Sequence, residues 1–124
     1  MDSVVAKIQM EESKIEIKIK DGILSIAPSK IIYAESNVHK VTLYVIEQSG
    51  DIREYYTYDR LDNIQEKLER YGFMRIHQSY SINGEHLRKV ARYKAELIEG
   101  VELPISKKYF NDIEEFYIRM RGEL

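Results

Sequence analysis

The sequence predicts a mainly β fold, and three observations predict it. Residues 14–20 alternate charged residues with isoleucine without a break, which is typical of a strand with one buried and one solvated face. Turn signals at Asp21-Gly22 and at residues 49–51 separate runs rich in β-branched residues. Helical spacing of apolar residues occurs in only two segments. Short strands joined by hairpins should therefore dominate the chain.

The strands follow from local patterns. We expect Asp21-Gly22 to be a two-residue hairpin turn and Pro28 to end the return strand, since proline cannot donate to a β-ladder. Residues 36–39 indicate a turn or short loop, and Glu99-Gly100 a tight turn. The predicted strands are residues 14–20, 23–26, 31–35, 41–46, 52–58, 73–76, 87–91, 93–98 and 101–103.

Two helices complete the prediction. Asp59 is suited to cap a helix over residues 60–71, which Gly72 ends. Its apolar stripe falls on Leu61, Ile64, Leu68 and Tyr71. A final helix begins at Ser106 and carries an apolar face.

Composition fits one ordinary globular domain. The chain has 124 residues, of which 44% are hydrophobic and 32% charged, and it has no cysteine. Disulfides and thiolate metal sites are excluded. No apolar run approaches the roughly 18–20 residues of a spanning helix, and the N-terminus lacks the features of a signal peptide. These features predict a cytoplasmic protein without membrane insertion.

Charge is uneven along the chain. The net charge is −2, which mildly disfavours nucleic-acid binding, because DNA-binding domains often have a basic pI. Residues 75–108, however, carry seven basic and four acidic residues, a net +3. Local sign matters more than the total for attracting a polyanion.

Nothing in the sequence indicates catalysis. The three histidines, His39, His77 and His86, lack metal-ligand spacing. There is no glycine-rich phosphate loop and no nucleophile elbow. The sequence predicts a protein that is not an enzyme and that has no metal or cofactor.

Three blocks carry a more specific signal. Residues 73–83 read FMRIHQSYSIN, residues 31–39 read IIYAESNVH, and residues 103–109 read LPISKKY. The first resembles the central signature of the LytTR family, an aromatic, Arg-x-His-x-Ser-aromatic, then an apolar residue and Asn. The others are similar to the family's early strand and loop and to its closing element. The resemblance covers roughly residues 13–118, so we expect an N-terminal extension at 1–13 and a LytTR-type domain at 14–121.

The resemblance implies a fold and a function. The fold is mainly β, an elongated arrangement of about ten short strands in small antiparallel sheets with two or three short helices. The function is that of a bacterial-type transcription regulator, related to response regulators, whose loops enter major grooves of double-stranded DNA. Paired direct repeats and a monomer or weak dimer in solution are expected. In this family a receiver domain usually precedes the module, and residues 1–13 are too short to hold one.

The resemblance also implies site residues. Base contacts fall on His39, Gln78 and Lys107, and backbone contacts on Lys40, Arg75, His77, Ser79 and Lys108. Gln78 can pair with two groups of adenine, and Lys107 can reach guanine or a phosphate. The family commonly has arginine where this chain has Lys107, so the bidentate contact to guanine is lost here.

Structural roles compete with these assignments. His39 can be a polar loop residue, and His77 can be a hydrogen-bonded residue of the sheet. Arg75 and Ser79 can touch phosphate or support the loop that carries Gln78. Asn83, before Gly84, is predicted to be structural. Instead of contacting DNA, Lys107 and Lys108 can be two solvated lysines. Instead of contacting phosphate, four other basic residues can simply lie on the solvent-exposed face of strands: Arg88, Lys89, Arg92 and Lys94.

A second class of function stays open. A module of LytTR shape can bind a regulatory protein partner instead of DNA. The weak net charge and the lysine at position 107 favour this alternative. Salt-dependent DNA binding discriminates between the two.

Overall fold

The computed structural model of the protein describes residues 13–122. This part of the chain forms ten strands and two helices, which confirms the mainly β prediction. The elements are β1 (Ile15–Ile19), β2 (Gly22–Ile26), β3 (Ile31–Asn37), β4 (Lys40–Ile46), β5 (Ile52–Thr57), α1 (Leu61–Leu68), β6 (Phe73–His77), β7 (Tyr80–Asn83), β8 (Leu87–Ala91), β9 (Lys94–Leu97), β10 (Glu102–Pro104) and α2 (Lys107–Met120). The predicted extension at residues 1–13 lies outside the described residues except for its last position.

The strands form three small antiparallel sheets. β1 pairs with β2, a five-stranded sheet has the order β5-β4-β3-β7-β6, and a three-stranded sheet has the order β10-β9-β8. In the five-stranded sheet, Asn37 is paired with Lys40, and Tyr80 is paired with both Glu35 and His77. The turn after β3 and the turn after β6 therefore lie at the same end of this sheet.

Two hydrophobic cores hold the sheets together. The first lies between one face of the five-stranded sheet, the β1–β2 hairpin and α1, and it contains Ile17, Leu43 and Ile64. The second lies between the other face, the three-stranded sheet and α2, and it contains Ile32, Ile82 and Ile113. Period-two alternation supplies the inward-facing residues, as at Ile17 on β1.

Helix α1 buries three of the four residues of the predicted stripe, and Tyr71 lies beyond it, half-buried. Leu61, Ile64 and Leu68 are all at most 3% exposed. One turn of 3₁₀-helix follows, and Gly72 ends it in the left-handed conformation at φ 91°. The prediction that Asp59 is the cap was wrong by one residue. Arg60 occupies the N-cap position, and the Asp59 carboxylate instead accepts from the Arg60 N–H (2.7 Å) and the Asn63 side-chain amide (2.8 Å).

The first hairpin turn also differs from its prediction by one residue. Ile19 pairs with Gly22, so the turn residues are Lys20 and Asp21. Gly22 is already the first residue of β2 and has φ 136°, a conformation that favours glycine. The Glu99-Gly100 turn is confirmed, with both residues at positive φ.

Strand β7 was not predicted from local pattern, although it lies between β3 and β6. The strand has only four residues, and Ser81, Ile82 and Asn83 are all buried, so burial does not alternate along it. The structural role predicted for Asn83 is confirmed. Its amide donates to the carbonyls of Pro28 (3.2 Å) and Ile31 (3.0 Å), and its side-chain oxygen accepts from the Glu85 N–H (3.0 Å).

Candidate nucleic-acid interface

Backbone hydrogen bonds join three loops along one edge of the molecule. The first loop is the Val38–His39 turn between β3 and β4, and the second is the Gln78–Ser79 turn between β6 and β7. The third is the Ile105–Ser106 connection that leads into α2. The Ser36 N–H donates to the Ser79 carbonyl at 2.8 Å, and the Ser106 N–H donates to the Ile76 carbonyl at 2.8 Å. The loops are thus neighbours in space, though they are far apart in sequence.

Each loop exposes one of the side chains predicted to contact bases. His39, Gln78 and Lys107 are all exposed. Within residues 13–122 no hydrogen bond or ion pair engages any of these three side chains. Their polar groups are therefore available to an external partner. The fold brings the predicted base-contact residues to one edge.

The first loop holds His39 in a rarely adopted conformation. Its φ is 64°, in the left-handed region that residues other than glycine visit infrequently. The neighbouring Val38 is 78% exposed, so the tip of the hairpin is apolar as well as polar. Such backbone strain often accompanies functional loops.

Arg75 supports the second loop from below. Its Nε donates to the His77 carbonyl at 2.8 Å, and one terminal nitrogen donates to the Gln78 carbonyl at 2.6 Å. The other terminal nitrogen donates to Asp62 on α1 at 2.7 Å. This hydrogen bond holds the pKa of Asp62 below its ordinary value. Of the two roles left open for Arg75, these contacts match support of the Gln78 loop.

His77 closes the same loop from the other side. Its Nδ1 accepts the N–H of Ser79 at 3.0 Å, and its ring lies against Tyr80 with 5.4 Å between ring centroids. The imidazole is half-buried. Because the backbone N–H and the carbonyl of Ser79 are both engaged, the loop has little freedom. His77 thus has the hydrogen-bonded role expected of a residue of the sheet.

Cations surround the three loops. Lys40 follows His39 and lies over the Tyr56 ring, 4.3 Å from its centroid. Lys107 and Lys108 are exposed in the first turn of α2. Between the first two loops and the start of α1 lies an open groove of about 480 Å³, lined by Ser36, His39, Lys40, Asp59, Arg60, Leu61, Asp62, Arg75, Gln78 and Ser79. We call it the loop groove.

Sequence reasoning missed the residues that organise the site at a distance. Asp62 lies thirteen positions from Arg75, and no local pattern pairs them. Ser36 was assigned to a loop, but it belongs to β3 and holds the second loop through its N–H. The Arg92–Tyr93 turn also adjoins the third loop, because the Ile105 N–H donates to the Tyr93 carbonyl at 2.9 Å. Only strand pairing brings these residues together.

Residues 13–122 contain neither a metal-binding cluster nor a membrane-spanning helix. No group of three or more histidine, aspartate or glutamate side chains is placed to hold a metal ion. None of the helices in this range has the length and apolar character that crossing a bilayer requires.

Comparison with known proteins identifies the family. The model of the LytTr DNA-binding domain matches residues 21–117, more than half of the chain. The sensory transduction protein LytT of Bacillus anthracis is 25% identical over 115 residues, covering 89% of this chain and 45% of that protein. LytT of Bacillus subtilis is 23% identical over 109 residues, covering 84% and 43%. The chain thus spans less than half the length of these relatives.

A solved structure shares the fold. It is the LytTr DNA-binding domain of a protein assigned as a methyl-accepting/DNA response regulator of Bacillus cereus. It superposes with a TM-score of 0.67 at 20% identity, covering 85% of this chain and 96% of that one. The family match and the shared fold agree with each other. The chain belongs to the LytTR family, a family of DNA-binding domains, not of enzymes.

Proposed function

We propose that this chain is the sequence-specific duplex-DNA-binding domain of a transcription regulator, and that it reads the major groove through its three loops. One observation carries the proposal. The side chains of His39, Gln78 and Lys107 are exposed on three neighbouring loops and have no hydrogen-bond or ion-pair partner within the described residues. Polar side chains of this kind suit contacts to base edges.

The three side chains offer different chemistry to the duplex. Gln78 matches adenine, whose N6 and N7 it can contact together. Lys107 reaches O6 or N7 of guanine as a single flexible charge. His39 either donates or accepts when neutral and only donates when protonated. Discrimination between base pairs should therefore be strongest at the position that Gln78 contacts.

Phosphate contacts surround these positions. We assign them to Lys40, Lys108 and Ser79. Lys108 lies in the first turn of α2, where a cation is unfavourable against the helix dipole until an anion approaches. Lys40 begins β4, directly after the first loop. Arg75 and His77, also predicted as backbone contacts, act chiefly by holding the Gln78 loop, since their polar groups are engaged there.

The wider context follows from this assignment. Binding to paired direct repeats needs no strong dimer in solution, because each copy occupies its own half-site. A regulator of this kind acts in the cytoplasm, where bacterial DNA lies.

The test is selection of tight binders from a random duplex pool, followed by affinity measurements at two salt concentrations. We expect a repeated half-site, with spacing near whole helical turns of about 10–10.5 base pairs. Absence of enrichment, with weak binding that disappears near physiological salt, would contradict the proposal. It would direct the search to a protein partner for a LytTR-shaped interaction module.

Substitution of the base-reading residues gives the first specific prediction. Gln78→Ala and Lys107→Ala should each weaken binding to the selected duplex by about 1–3 kcal/mol, because each removes a contact to a base edge. Binding to random duplex should change much less. Fluorescence anisotropy with both duplexes measures the difference.

Lys108→Ala is the matched control for Lys107→Ala. Both lysines are exposed in the same helical turn, but Lys108 is assigned to phosphate. Its removal should weaken binding to both duplexes equally. Equal losses on both duplexes for Gln78→Ala would remove the base-reading assignment.

A further inference from the structure

A second groove next to the loop groove is lined by three lysines. Lys18 and Lys20 come from β1 and its turn, and Lys67 comes from α1. The groove has a volume of about 460 Å³, and its remaining lining residues are Ile19, Thr57, Tyr58 and Asp59. We call it the lysine groove. Nothing in the proposed reading of bases uses it.

The fold places these lysines together for identifiable reasons. Alternation along β1 buries Ile17 and turns Lys18 outward. The Lys20 N–H donates to the Tyr56 carbonyl at 2.7 Å, which fixes the hairpin turn against the end of β5. Lys67 lies beside the buried Leu68 but is itself exposed on α1. Two elements of the chain thus converge on one groove.

The charge of the lysine groove is positive. Within residues 13–122 none of the three ammonium groups forms an ion pair, in contrast to Arg53, Lys89 and Arg119, which each face a glutamate. Asp59 is the one acid among the residues that line the groove. Its carboxylate is already engaged by the Arg60 N–H and Asn63. The groove therefore suits an external anion, and Tyr58, 67% exposed, adds a phenol that can donate to it.

Position identifies the anion. Asp59 lines both the lysine groove and the loop groove, so the two grooves meet at the start of α1. The lysine groove therefore adjoins the loop groove, next to the surface that a duplex on the three loops would cover. The family match begins at residue 21, so Lys18 and Lys20 lie outside it.

We propose that Lys18, Lys20 and Lys67 bind phosphates of the duplex beyond the segment whose bases the loops read. This inference rests on the proposed function and extends its footprint. Contacts of this kind add affinity without adding sequence preference, because phosphates are the same at every position. Each neutralised phosphate also releases counterions, which makes binding more sensitive to salt.

The test is the triple variant Lys18→Gln, Lys20→Gln, Lys67→Gln in the full chain, with the duplex selected by the unmodified protein. We expect weaker binding to selected and random duplex by the same factor, roughly tenfold or more at moderate salt. The slope of log affinity against log salt should become shallower by about 2–3, since each phosphate contact contributes about 0.9. Thermal melting should be unchanged, because all three side chains are exposed.

A control variant removes the same charge elsewhere. Arg53→Gln, Lys89→Gln, Arg119→Gln also deletes three cations, but these lie in ion pairs on β5, β8 and α2. It should bind with the original salt slope. If both variants lose the same affinity and show the same change in salt slope, the effect comes from net charge alone and the proposal is overturned.

The length of the duplex provides an independent test of the lysine groove. Trimming the selected duplex by about five base pairs on the side of the lysine groove should weaken binding of the unmodified protein and leave the triple variant unaffected. If the triple variant binds like the unmodified protein, the lysine groove proposal fails while the three-loop reading stands. If the unmodified protein shows no salt-dependent specific binding, the proposed function itself fails and the groove proposal with it.

Discussion

Replacing Asn83 with alanine is expected to lower the free energy of unfolding by about 2–4 kcal/mol, the loss typical of a buried side chain whose hydrogen-bonding partners are left unsatisfied. Asn83 is 1% exposed. Its amide and oxygen connect the end of β7 to the carbonyls of Pro28 and Ile31 and to the Glu85 N–H. Alanine can supply none of these contacts, and it also leaves a small cavity. Urea denaturation followed by circular dichroism measures the change.

Asn37→Ala provides the comparison. Asn37 is the same residue type at the end of another strand of the same sheet, but it is exposed. Its replacement should change stability by less than about 0.5 kcal/mol. Similar values for the two variants would show that the buried contacts of Asn83 contribute no more than an exposed side chain does.

Replacing Arg75 with methionine is expected to weaken binding to the selected duplex roughly 10–100-fold. Methionine fills much of the same volume but cannot hold the carbonyls of His77 and Gln78 or the carboxylate of Asp62. The Gln78 loop then loses its fixed geometry, so the side chain no longer arrives at the base edge in one position. Anisotropy titration gives the affinity, and amide chemical shifts of Gln78 and Ser79 report the loop itself.

Arg75→Lys separates support of the loop from direct contact with phosphate. Lysine keeps the charge but lacks the planar fork that reaches three acceptors at once. If Arg75 acts through the loop, lysine should restore little of the lost affinity, and discrimination between selected and random duplex should fall. Restored affinity would instead indicate a phosphate contact. Arg53→Met, at a 62% exposed side chain paired with Glu47, should leave both readouts unchanged.

Strands with a strong β-branched or alternating pattern were predictable from sequence, and the short strand β7 was not. β1 alternates and was found, whereas β7 carries Ser81 toward Gln65 on α1 and Ile82 toward the second core. β7 is only four residues long, and its serine and asparagine are not typical of strands, so too little local pattern marks it. The one-residue errors at the first hairpin and at the α1 cap have another cause. Several adjacent polar residues and a glycine suit a turn there, and strand register decides among them.

Part of the candidate site was likewise predictable from sequence and part was not. Its three predicted base-contact positions came from the resemblance of local motifs to a family. The structure adds that their side chains share an edge and have no hydrogen-bond or ion-pair partner within residues 13–122. The support beneath them depends on contacts between distant segments, such as Arg75 with Asp62 and Ser36 with Ser79. The lysine groove likewise needs β1 and α1 to meet. The spacing of residues along the sequence does not predict contacts between segments that are distant in the chain.

The hydrogen bonds that join the three loops have an entropic consequence. A loop that is mobile before binding loses backbone freedom worth about 1–2 kcal/mol of TΔS for each residue that becomes fixed. Here the turns at Val38–His39 and Gln78–Ser79 are two residues long, and strand pairing on either side closes each of them. The Ser36–Ser79 hydrogen bond also holds the second turn. Because most of that ordering takes place when the domain folds, binding incurs a smaller entropy cost. More of the favourable free energy of the contacts therefore contributes to affinity. A glycine inserted into either turn should therefore weaken binding chiefly through a less favourable entropy, even where every side chain that touches the duplex is retained.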